Sequence, residues 1–132
     1  VVISVHDGDT LQARCDDTIV HVRLAEIDAP ELGQPFAAAA TRRLTAACQH
    51  QPVVLTPRSE DRYGRTIARV KCRGRDASLS MVRSGYAWAF RRYLTDPAIA
   101  TAEEIARDGR RGLWRDPNPI APWDFRAARR KE

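Results

Sequence analysis

Thr18-Ile19-Val20-His21-Val22-Arg23-Leu24-Ala25-Glu26-Ile27-Asp28-Ala29-Pro30-Glu31 is the stretch on which the fold turns. From Thr18 to Ile27 it alternates as a strand does. Ile19, His21 and Arg23 share one face, and Val20, Val22 and Leu24 share the other. Ala29-Pro30 ends the strand, since proline lacks the N–H a ladder needs and restricts the residue before it. Upstream lie two more strands. Val1 to His6 is apolar and β-branched, Asp7-Gly8-Asp9 turns the chain with Gly8 free to take a positive φ, and Thr10 to Cys15 follows. Downstream, Gly33, Gln34 and Pro35 lead into an Ala-rich helix, Phe36 to Cys48. A fourth strand is read at Pro52 to Thr56 and a fifth at Thr66 to Cys72. A short helix at about Ala77 to Arg83 ends before Gly85 at C′, and Tyr86 to Phe90 reads as a short extended segment. The last helix has Asp96 as N-cap, Pro97 at its first position and Gly109 just past its end. Pro117, Pro119 and Pro122 then predict an irregular tail, about 114–132, pinned by Trp114, Trp123 and Phe125.

Three strands, a helix, two strands and further helices predict an α+β fold: a five-stranded Greek-key β-barrel of the OB type with about three helices, residues 1–132 forming one domain.

The net charge is +5 and the pI about 9.6, with lysine only at Lys71 and Lys131. An arginine-rich basic chain suits a polyanionic partner, though a high arginine and alanine content also follows from genomic base composition. No run of about 18 apolar residues occurs, so no membrane span is expected. The chain opens inside the strand-like run Val1-Val2-Ile3, which leads us to expect an exported protein whose leader is absent from this sequence, with the cytoplasm as the alternative. Cys15, Cys48 and Cys72 form no CxxC pair and read as small buried residues, the odd count leaving at least one thiol unpaired.

Acids and arginines gather in three segments at predicted strand ends: His6 to Thr10, Arg23 to Glu31 and Asp61 to Arg65. Asp9, Asp28 and Glu31 offer hard oxygen donors, suited to calcium or magnesium rather than zinc. Such a metal could hold a phosphate oxygen and a water together. Arg23 and Arg65 could stabilise charge developing on a phosphoryl group. Taken singly, Asp7 and Asp9 fit a turn, Arg23 an ordinary sheet position and Arg65 a solvated turn.

Together the three segments resemble the staphylococcal nuclease (thermonuclease) family, over Val1 to about Trp114, with the Pro122-Trp123-Asp124-Phe125-Arg126 tail similar to that of short bacterial homologues. The resemblance implies a calcium-dependent nuclease acting on DNA and RNA, leaving 3′-phosphate products. It implies Asp9, Asp28 and the backbone carbonyl of Ala29 as metal ligands, Ala29 standing where the family commonly has Thr. Arg23 and Arg65 would be the catalytic arginines and Glu31 the proposed general base. Arg62, Tyr63, Arg91 and Tyr93 would bind substrate, with Arg91 in place of a family tyrosine. The connection from Glu31 to the first helix is shorter than in the staphylococcal enzyme, implying a tighter rim. The tail reads as structural. Single strands are the preferred substrate expected, with no membrane partner and a monomeric chain. The competing reading is a non-catalytic OB-type module that binds nucleic acid or protein.

Overall fold

A computed structural model describes residues 1–131, so Glu132, the end of the predicted domain and tail, lies outside the described residues. In chain order its elements are β1 (Val2–Asp7), β2 (Thr10–Cys15), β3 (Thr18–Leu24), β4 (Ile27–Asp28), α1 (Ala37–Cys48), β5 (Val53–Glu60) and β6 (Thr66–Cys72). There follow β7 (Arg75–Asp76), α2 (Ala77–Arg83), β8 (Trp88–Ala89), α3 (Pro97–Asp108) and α4 (Pro122–Arg130), with 3-10 turns at Arg91–Tyr93 and Gly112–Arg115.

The five long strands lie in the order β1-β2-β3-β6-β5, with β3 and β6 parallel and the other neighbours antiparallel. This is the strand order of an OB-type barrel. Its two edges approach through the lead-in to β5: Val2 N–H donates to the Gln51 carbonyl (3.0 Å), and His50 N–H donates to the Val2 carbonyl (2.8 Å). Alternation works as the sequence predicts. Val22 and Leu24 face inward with Leu11, Ala13, Ala68 and Val70, while Ile19 and His21 face solvent. Leu44 and Cys48 of α1, Met81 and Val82 of α2, and Ile99 of α3 close the core from outside the sheet.

Several elements depart from the sequence reading. The third strand stops at Leu24, three residues early, because Glu26 takes a left-handed conformation (φ 69°) and redirects the chain into β4, which pairs with β8. The fourth strand runs on through Pro57 to Glu60. Proline is tolerated there because β5 is an edge strand with a register shift between Pro57 and Ser59. The Ala-rich helix begins at Ala37, with Phe36 at φ 71° as its cap. The tail is not irregular throughout. Pro122 sits in the first turn of α4, where its missing N–H costs nothing, with Asp124 in the first turn and Arg129 and Arg130 in the last. Cys48 and Cys72 are not merely packed together: they form a disulfide joining the end of α1 to the end of β6, and Cys15 is the free thiol.

The left-handed residue at the kink also anchors the α3 lead-in. Buried Glu26 accepts from the N–H groups of Thr95 and Asp96 (2.6 Å each) and from the Thr95 hydroxyl, and it pairs with Arg69 (2.8 Å) and Arg58 (3.0 Å). Burial alone would raise this carboxyl, but these donors outweigh it and hold the pKa at about 2 instead of 4.5. A depressed folded-state pKa means that the stabilisation is whole above pH 4.5 and fades as pH falls toward 2. We therefore expect Glu26→Gln to cost up to about 3 kcal/mol at neutral pH, with the gap to wild type closing as both are acidified. Urea unfolding at pH 7 and near pH 2 checks this. A gap that stays constant would contradict it.

Candidate active site

The acids arise from a turn whose glycine is dictated by packing. Gly8 is not among the positive-φ glycines, so the conformational reading of Asp7-Gly8-Asp9 is corrected. A Cβ there would lie 2.7 Å from the Cβ of Ala29 and 2.8 Å from that of Ala40, so only glycine lets this turn press against α1 and the segment after β4. The pressing brings Asp9 to Ala29. The Ala29 N–H donates to Asp9 Oδ2 (2.8 Å), the Thr10 hydroxyl donates to Oδ1 (3.1 Å), and Asp7 caps the turn by accepting from Asp9 N–H (3.0 Å). Burial, followed by the negative charge of Asp9, pushes the Asp7 carboxyl up to about 6.

The β2–β3 register pairs Thr10 with Arg23, which sets the guanidinium beside Asp9. The kink at Glu26 then folds the chain around it. Arg23 Nη1 donates to the carbonyls of Leu24 (2.8 Å) and Ile27 (2.9 Å) and lies 3.5 Å from Asp9 Oδ2, while Nη2 lies 3.3 Å from Asp28 Oδ1. Asp9 and Asp28 are both buried and converge on one fixed guanidinium. Burial opposes ionisation of Asp9, yet Arg23 and the Ala29 N–H outweigh it and keep its carboxyl low. Burial and the charge of Asp9 push Asp28 the other way, against the donors of Arg126 and the charge of Arg23.

Glu31 reaches this corner through a residue read in the sequence as structural. Arg126 of α4 donates Nη1 to Glu31 Oε1 (2.5 Å) and grips Asp28 with both nitrogens, Nη2 to Oδ2 (2.6 Å) and Nη1 to Oδ1 (3.2 Å). The short connection after Glu31 is a tight turn. Glu31 N–H donates to Gln34 Oε1 (2.9 Å), and Gln34 in turn donates to the Ile120 carbonyl (2.5 Å), tying this rim to the C-terminal segment.

The Asp61–Arg65 turn stands at the start of β6, alongside the strand that carries Arg23. Asp61 Oδ1 accepts from the N–H groups of Tyr63 (2.9 Å) and Arg65 (3.0 Å), and Oδ2 takes Arg65 Nε (2.7 Å). Arg65 is thus held by Asp61 and not by the Asp9–Asp28 pair. Tyr63 is largely exposed, with the guanidinium groups of Arg62 and Arg65 over its ring at 5.1 and 5.8 Å from the centroid. The other two expected substrate contacts differ in character. Arg91 is tied to buried Glu103 (2.9 Å), whereas Tyr93 is exposed and packs edge-on against Phe90, which itself stacks on Trp123.

The donor chemistry of Asp9 and Asp28, two buried carboxylates that share the Arg23 guanidinium, fits a hard cation such as calcium. Among the described residues, no three His, Cys, Asp or Glu side chains gather closely enough to hold a metal on their own. Backbone oxygen and water would complete a calcium shell, as that ion permits. Among the described residues, no helix is long and apolar enough to cross a membrane.

Residues 21–116 match the model of a family described as "Staphylococcal nuclease homologue". The chain is 41% identical to a protein named "Micrococcal nuclease" from Shigella flexneri, over 96% of this chain and 79% of that protein. It is 40% identical to an endonuclease from Haemophilus influenzae, over 95% of this chain and 71% of that protein, and 36% identical to an endonuclease from Escherichia coli, over 95% and 82%.

Proposed function

The chain belongs to the staphylococcal nuclease homologue family, and on that premise we propose that it is a calcium-dependent nuclease hydrolysing phosphodiester bonds in both DNA and RNA. The observation that carries this reading is the convergence of buried Asp9 and Asp28 on Arg23, with Glu31 alongside. A module that only binds nucleic acid has no need to hold two buried acids against a guanidinium at the ends of its strands.

In this reading Asp9, Asp28 and the Ala29 carbonyl hold the calcium, which when bound supplies Lewis-acid polarisation of a phosphoryl oxygen. Glu31 orients the attacking water or takes its proton. Arg23 and Arg65 bind the phosphate and answer the charge that builds on its oxygens as the 5′ oxygen leaves, so products carry 3′-phosphates. Arg62 and Arg91 draw in phosphates, and Tyr63 and Tyr93 offer exposed rings to bases. Stacking on exposed rings needs unpaired bases, so single strands are favoured, and no feature of this set reads a 2′-hydroxyl. We read the chain as a monomer acting after export.

Labelled single-stranded DNA, duplex DNA and RNA test the substrate range. All three are expected to be cut, single strands fastest, with ends that shift in mobility after phosphatase treatment. Cleavage of one nucleic acid with no trace of cleavage of the other would contradict the reading.

A further inference from the structure

We propose that Arg126 is an internal cation standing at Asp28 in calcium's stead, so that metal binding is an exchange in which this guanidinium leaves Asp28. The inference rests on the calcium reading above and concerns what the C-terminal helix does to it.

Three observations carry it. First, both nitrogens of the Arg126 fork engage both oxygens of Asp28, and one reaches on to Glu31, so a single side chain covers one of the two acids expected to hold the metal and the acid expected to serve it. Calcium sits about 2.3–2.6 Å from its oxygens. A calcium and a guanidinium on one carboxylate would be neighbouring cations roughly 4 Å apart in a partly buried corner, where they repel strongly. Second, only one partner can yield. Asp28 is 1% exposed within the fold, and Arg23 is locked by two carbonyls, whereas the Arg126 side chain is 32% exposed on a long flexible stem. Third, α4 does not depend on Arg126 for its seat. Trp123 stacks on Phe90 (5.5 Å, 5° between planes) and packs edge-on against Trp88, Gln34 holds the Ile120 carbonyl just before the helix, and Arg129 donates to the Leu32 carbonyl (3.2 Å). The helix can stay in place while one side chain swings out.

The physical consequence is linkage. While Arg126 neutralises the acids, the metal-free fold is spared their mutual repulsion, and calcium must compete for the site. Apparent affinity is then reduced by the fraction of molecules in which Arg126 is away.

Calorimetric titration of calcium into the chain and into Arg126→Gln, without nucleic acid, tests this. The variant is expected to bind calcium about tenfold more tightly or better. Its melting temperature should fall below wild type without metal, and the gap should narrow at saturating calcium. A purely structural role would lower melting equally at every calcium concentration and would not tighten binding. Arg126→Lys keeps one charge but cannot fork, and it should tighten binding by a smaller factor, providing a second route if the Gln form folds poorly. Equal or weaker calcium binding by folded variants would overturn the exchange alone. No calcium binding by any form, wild type included, would overturn both the exchange and the calcium reading beneath it.

Discussion

Arg23→Lys and Arg65→Lys are each expected to lower kcat by roughly a hundred- to a thousandfold while moving KM little, the size lost when one preorganised donor to a transition state is removed. The expectation follows from how each guanidinium is held. Arg23 is fixed by the Leu24 and Ile27 carbonyls and by two carboxylates, so its direction is set before substrate arrives. Arg65 is fixed by Asp61 through Nε, which leaves its terminal nitrogens to other partners. Lysine retains charge but has one nitrogen where the fork has several, so it cannot keep a positioning contact and stabilise phosphate together. The two variants differ in a second respect. Arg23→Lys also abandons carbonyls in the kink and should lose stability, whereas Arg65 lies on a turn and should fold nearly as wild type, making it the cleaner test. Steady-state kinetics on variants shown to fold by circular dichroism decide the matter. Wild-type turnover by both would mean that neither arginine stabilises the transition state, whereas no cleavage by wild type itself would mean that the chain only binds.

Asp28→Ala is expected to be at least as damaging, by a different route. Removing this carboxylate takes away a proposed metal donor and leaves Arg23 and Arg126 facing a site that no longer balances them. Calcium binding by calorimetry should be lost or greatly weakened, and cleavage should not recover when calcium is raised within a soluble range. Glu31→Gln should separate from it. Glu31 sits at the edge of the site, its side chain 34% exposed, so calcium binding should largely survive while kcat falls. An Asp28→Ala protein that still binds calcium like wild type would remove Asp28 from the metal site.

The parts of this structure that follow local rules were legible in the sequence. β2 and β6 run over the residues expected of them, Thr10–Cys15 and Thr66–Cys72, and α3 starts at Pro97 behind the Asp96 cap and stops at Asp108, just before Gly109, because turn, cap and stop signals are short-range. What escaped was set by tertiary contacts. A left-handed glutamate at position 26 has no local signature, yet it is what bends the chain around Arg23. Pro57 reads as a strand end until β5 is known to lie at an edge. The Cys48–Cys72 bond joins segments whose approach only the barrel creates. Of the site, Asp9, Arg23 and Asp28 stood out as acids and an arginine at predicted strand ends, each with an ordinary structural reading on its own, and it was the family resemblance that put them in one site; the structure brings them together. Arg126 could not, since 98 residues separate it from Asp28 and three prolines in the intervening tail hid the helix that carries it. The available cue was Pro122 itself, four residues before an arginine and well placed to start a helix.

If Asp9 and Asp28 are calcium ligands, cleavage depends on calcium. A labelled single-stranded DNA incubated with the purified chain across a chelator-buffered calcium series measures that dependence. Cleavage should vanish in excess chelator, return as free calcium rises, and not return when zinc is supplied in its place. Full cleavage in excess chelator would contradict the assignment of Asp9 and Asp28 as calcium ligands and the mechanism built on them.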